Sequence, residues 1–93
     1  MATTTFSASC PVGQWTLLAD GTTIATAGLQ AVGTAACRVA IAASAPSASS
    51  DEFFLLYPGD TEQTINLTLG AGSNAYGQGL GATAYVRGYL TGS

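Results

Sequence analysis

The chain has 93 residues, a net charge of −3 and only two basic side chains, Arg38 and Arg87, with no histidine. Two cations cannot neutralise a run of phosphates, so neither nucleic acid nor an anionic membrane surface is expected as a partner. Without histidine or lysine, a serine or cysteine nucleophile lacks its usual base, and the composition points to a non-enzymatic structural or binding module.

One domain over residues 1–93 is expected, burying a little over ~60% of its surface on folding. Met1–Ser9 has neither a basic n-region nor an apolar h-region, so no secretory signal is expected and synthesis in the cytoplasm is. The segment 1–10 reads as an edge strand or an assembly arm, with Thr3–Ser9 extended. After the Pro11–Gly13 break, Gln14–Ala19 places Trp15, Leu17 and Ala19 on one face. Asp20-Gly21 between apolar runs is a strong hairpin signal, with Thr22–Ala27 as the return strand. Gly28 and Gly33 bracket a short irregular or extended segment. Thr34–Ala43 alternates, with Cys37, Val39 and Ile41 on one side and Arg38 and Ala40 on the other.

The loop Ser44–Ser50 leads to Asp51–Tyr57, the most apolar run, which stops at Pro58-Gly59. Proline presets φ at the first corner of such a turn and glycine accepts the second. Thr61–Leu69 alternates with Ile65, Leu67 and Leu69 inward. Ala75–Gly81 is broken by glycines, as in a strand with a bulge or a close backbone approach. Ala82–Leu90 closes the chain, with Ala84, Val86 and Leu90 on one face and Tyr85, Arg87 and Tyr89 on the other. Seven or eight short strands spaced about ten residues apart, with no 3.6-residue periodicity, predict an all-β fold. The expected form is a single antiparallel β-sandwich, jelly-roll or Ig-like, with essentially no helix.

Few groups offer chemistry. Asp60 and Glu62 share strand spacing but flank a turn, where solvated charge is ordinary. No calcium loop of alternating acids is present, and no metal or cofactor site is expected. Gly77-Gln78-Gly79-Leu80-Gly81 satisfies no phosphate-loop pattern and reads as turn or bulge glycines. Cys10 and Cys37 are too few for a zinc site and read as thiols, Cys37 as a small buried hydrophobe; a bridge between them would require neighbouring strands. The stripe Tyr85–Arg87–Tyr89 carries the functional expectation. It sets two aromatic rings around one cation, a combination enriched at protein interfaces, and Tyr57 and Tyr76 are candidates to extend it.

The run Phe54–Asp60 (FLLYPGD), then Ile65–Gly70 (INLTLG), Ala75–Gly79 (AYGQG) and Ala82–Leu90, resembles small β-sandwich decoration and fibre-type proteins of tailed-bacteriophage virions. The pattern is an apolar strand ending in Pro-Gly-acidic, a strand, a glycine turn, an aromatic-plus-glycine strand and a last strand. The resemblance covers about two-thirds of the chain. It implies a non-enzymatic capsid decoration, cement or fibre-base protein, localised in the virion. The expected partner is the major capsid protein or another virion component, and the chain's small burial margin and edge strands without lysine point to a homo-oligomer. The alternative expectation is a glycan-binding module in which Trp15 and the tyrosines stack on sugar and Asn66, Gln63 or Asp60 bond hydroxyls.

Overall fold

In a computed structural model the described residues are 3–47, 53–58, 64–70 and 72–92. They form eight strands and no helix: β1 (Thr3–Cys10), β2 (Thr16–Ala19), β3 (Ile24–Val32), β4 (Cys37–Ala42), β5 (Phe54–Leu56), β6 (Thr64–Thr68), β7 (Asn74–Gly79) and β8 (Ala84–Gly92). Two four-stranded sheets result, ordered β1-β8-β3-β6 (sheet A) and β2-β7-β4-β5 (sheet B). Every pairing is antiparallel.

The register has a simple logic. Strands β1 and β8, β2 and β7, β3 and β6, and β4 and β5 pair like the rungs of one long hairpin. That hairpin is rolled so that β3 also meets β8 and β4 also meets β7. Successive pairs therefore fall in alternate sheets. This is the double Greek-key order of a jelly roll, and it decides between the two sandwich forms the sequence allowed.

The core comes from period-2 alternation, which points every second side chain of each strand inward. Ala27, Leu29 and Ala31 of β3 and Ala84 and Val86 of β8 face Leu18, Cys37, Val39, Leu56 and Ala75 of sheet B, with Cys10 at the end of β1. Ile65, Leu67 and Leu69 pack against or within that cluster, as the alternation predicts. Many of these side chains are small, so the core is thin.

Expectations about β2 and the turn after it are corrected. Asp20-Gly21 does not close a hairpin, because β2 and β3 lie in different sheets. The turn is local: Asp20 Oδ1 accepts from Thr22 N at 2.9 Å, and its carbonyl oxygen accepts from Ile24 N at 2.9 Å. Gly21 lacks the positive φ that a two-residue hairpin turn of Asp-Gly type needs. Its glycine is instead required by crowding, since a Cβ there would stand 1.9 Å from the Ser73 carbonyl oxygen of the β6–β7 turn. Leu17 is 50% exposed, whereas Leu18 and Ala19 are buried, because the β2–β7 register shifts between Leu17 and Ala19. Of the two forms expected between Gly28 and Gly33, irregular or extended, the structure shows the extended one, as the second half of β3. The acidic residues Asp51, Glu52, Asp60 and Glu62, and Gly59 of the Pro-Gly turn, lie outside the described residues.

Gly77 and Gly79 are strand residues with ordinary φ, not turn or bulge glycines. Both face inward. A Cβ on Gly79 would meet the Ala82 carbonyl oxygen at 2.2 Å and that of Cys10 at 2.7 Å, whereas one on Gly70 would meet nothing within 4 Å. Backbone cannot yield as a side-chain tip can. Gly79→Ala is therefore expected to cost about 3 kcal/mol or more, and Gly70→Ala to change stability by less than about 0.5 kcal/mol. Urea denaturation of the two variants checks the contrast.

Candidate interface on the outer face of sheet A

The register of β8 places Tyr85, Arg87 and Tyr89 side by side on the outer face of sheet A. Their neighbours across the strands are Ser9, Ser7 and Thr5 of β1 and Val32, Gln30 and Gly28 of β3. The sequence stripe is thus a ridge of three large side chains, bordered along β1 by short hydroxyl-bearing ones.

Each member of the ridge is held differently. Tyr89 lies across the adjacent strand: a Cβ on Gly28 would stand 2.0 Å from its ring carbon Cε2. Only glycine leaves room for the ring at that point. The ring reaches past β3, and the Tyr89 hydroxyl bonds Asn66 Oδ1 on β6 at 2.6 Å. One side chain of β8 thereby spans β3 and ties to β6. Arg87 is exposed, and its Nε donates to Gln30 Oε1 at 3.2 Å. Gln30 Nε2 in turn donates to Thr64 Oγ1 at 3.5 Å, a long contact that continues the line from β8 across β3 to β6. Tyr85 is 52% exposed and stands beside Gly33.

Two open hollows flank Arg87. One, of about 590 Å³, runs along Thr5, Ser7, Gln30 and Tyr89; the other, of about 350 Å³, runs along Ser9, Val32 and Tyr85. The face therefore alternates ridge and depression over short polar side chains.

Tyr57 and Tyr76 do not extend this patch. Both belong to the other sheet: Tyr57 is exposed just past the end of β5, and Tyr76 is 8% exposed on β7. Tyr76 and Gln78 point to the outer face of sheet B, opposite to Ala75 and Gly77, yet both are buried. An aromatic roof is built there. Trp15 and Phe53 pack with ring centroids 6.4 Å apart, and the Trp15 indole N–H donates to the Ser47 carbonyl oxygen at 2.8 Å. The Arg38 guanidinium lies 5.0 Å from the Phe53 ring centroid, and its Nη1 donates to Gln78 Oε1 at 3.0 Å. Sequence alternation places Arg38 and Ala40 on this side but does not reveal that a distant loop covers it. The one signal available is Gln78, a long polar side chain set between two strand glycines.

Cys10 and Cys37 are both fully buried in the core, and their sulfurs crowd the same space beside Gly77, with the Cys37 thiol donating to the Arg38 carbonyl oxygen at 3.5 Å. The nearness of Cys10, together with burial, pushes the Cys37 thiol well above its ordinary range. The same nearness works the other way on Cys10 and favours it as the seat of the first negative charge, against the cost of burial. Their strands are not neighbours in a sheet; the two residues meet across the sandwich instead. Among the described residues no three His, Cys, Asp or Glu side chains cluster as metal ligands do. No family model, no curated protein and no solved structure matches the chain.

Tyr89→Phe removes the hydroxyl that ties β8 to β6 while keeping the ring over Gly28. It is expected to lower stability by about 1 kcal/mol. Gly28→Ala, which drives the ring out of its seat, is expected to cost more, about 2 kcal/mol or above. Chemical denaturation ranks the two, and the reverse order would remove the ring-over-glycine contact from the account.

Proposed function

We propose that this chain is a non-enzymatic virion structural protein that docks the outer face of sheet A onto a further copy of itself or another virion component, such as the major capsid protein. The observation that carries the reading is the Tyr85–Arg87–Tyr89 ridge, bordered by the short hydroxyl side chains Thr5, Ser7 and Ser9 on one side and by Gly28, Gln30 and Val32 on the other. Tyr and Arg are the residues most often found to dominate association energy. Threonine and serine around them lose little side-chain entropy on being covered.

The edges of the sheets support the same reading. In sheet B the edge strands are blunted: β2 is four residues with a register shift and β5 is three. In sheet A, β6 is five residues, but β1 is eight, in unbroken register with β8 and without a charge or proline. A long, flat, uncharged edge is what a solitary soluble domain avoids and an assembling one uses. Jelly rolls recur in capsid and lectin domains, and that support is an analogy of fold alone.

One observation favours the second reading, a glycan-binding module. The hollow along Thr5, Ser7, Gln30, Arg87 and Tyr89 combines an aromatic wall with planar and hydroxyl hydrogen-bonding groups. Trp15 belongs to the roof of sheet B, so its fluorescence would not report sugar at this hollow. Gln63 and Asp60 lie outside the described residues. Chemical-shift changes at Tyr85 and Tyr89 on titration with oligosaccharides would favour the glycan reading.

For the assembly reading, light scattering across a dilution series is expected to show an oligomer. Tyr85→Ala and Arg87→Ala should each weaken its association at least tenfold, about 1.4 kcal/mol, with melting temperature nearly unchanged. Variants that associate as the parent does would remove this face from the interface.

A further inference from the structure

We infer that Cys10 and Cys37 are a covalent modification site, closing to a disulfide that staples sheet A to sheet B through the core when the chain meets a small-molecule disulfide such as oxidised glutathione. The geometry rests on β7. A Cβ placed on Gly77 would lie 2.8 Å from the Cys10 sulfur and 3.2 Å from that of Cys37, so both sulfurs crowd into the space that this glycine leaves empty. The backbones converge as well. Cys37 pairs with Gly79, and the Cβ position of Gly79 is 2.7 Å from the Cys10 carbonyl oxygen. A disulfide needs Cα atoms within about 7 Å and side chains that point at each other, and two sulfurs that converge from opposite sheets on the one space beside Gly77 meet the second condition.

The chemistry balances with one oxidant molecule. The Cys10 thiolate attacks a sulfur of glutathione disulfide, forming a mixed disulfide and releasing glutathione thiolate. The Cys37 thiolate then attacks the Cys10 sulfur, forming the protein disulfide and releasing the second glutathione. The two protons lost by the cysteines end on the two glutathione thiols, and the two electrons reduce the oxidant. Cys10 suits the first step because it ends an edge strand, where opening a few residues of β1 and the Pro11–Gly13 break uncovers it without separating β8 from β3. Glutathione cannot stay in a core this thin, so the mixed disulfide favours resolution by Cys37.

The test is to refold the full chain from denaturant in a glutathione buffer rich in the oxidised form, so that access does not limit the reaction. It is then alkylated under denaturing conditions and weighed. The expected product is a monomer lighter by about two hydrogens, with no alkylated thiol, whose melting temperature rises by roughly 10 °C or more and falls back with dithiothreitol. Cys37→Ala treated alike should show no such rise. Two free thiols, a persistent glutathione adduct, a disulfide between chains, or a bridge that lowers the melting temperature would each overturn the assignment.

Discussion

A sandwich of two sheets needs its inner faces to interlock, and here the interlock depends on β7 carrying no side chain inward at two successive positions. Gly77 leaves the space that both cysteine sulfurs fill, and Gly79 lets the chain pass from the end of β1 toward β2 with the Cys10 and Ala82 carbonyls hard against it. The Gly79 amide donates to the Pro11 carbonyl oxygen at 3.2 Å, so the crossing strand end is bonded as well as packed. With alanine and glycine supplying so much of the interior, little transfer free energy comes from any one side chain. Close approach of the sheets has to compensate, because dispersion contacts fall away within an ångström of added separation.

The same strand explains the difference between the two outer faces. Because β7 has only Ala75, Gly77 and Gly79 inward, its bulk lies outward as Tyr76 and Gln78, and both are buried. Arg38 bonds Gln78 and lies against Phe53, which packs in turn on Trp15, while Tyr76 is flanked by Leu17 and Ala40 and takes a contact from Asn74 at its hydroxyl. Among the described residues Arg38 Nε is buried without a hydrogen-bond partner, a cost that the guanidinium's position near the Phe53 ring partly offsets. Sheet A carries no such burden. Its outer face is polar except along β8 and at Val32, and it is the face that we propose another molecule covers.

Strand alternation made much of this legible. The inward sets of β6 and β8 and the outward stripe of β8 follow from period two alone. Two kinds of feature did not follow. Asp20-Gly21 carries the local signature of a hairpin, yet the partner of each flanking strand is chosen by the whole rolled pairing, with β2 against β7 and β3 against β6 and β8. Tyr76 looks like Tyr85 in sequence, an aromatic on the outward phase of a strand. Whether an outward side chain meets solvent depends on what other segments set beside it, here Leu17, Ala40 and Asn74, and alternation holds no information about that. The glycines were ambiguous for a related reason. A turn glycine is required by its own φ, whereas Gly28 and Gly77 are required by what a different strand places over them.

That last distinction shapes the candidate interface. Tyr89 spends its ring on Gly28 and its hydroxyl on Asn66, so it is a fixed wall rather than a side chain waiting for a partner. Arg87 is oriented through Gln30, which reduces the freedom it would lose on being covered. Tyr85, half exposed at one end of the ridge, has the most apolar surface still to bury. The three neighbours in one stripe are therefore unequal. Tyr89 and Gln30 set the shape, Arg87 supplies oriented charge, and in the proposed docking Tyr85 supplies the area whose removal from water would drive association.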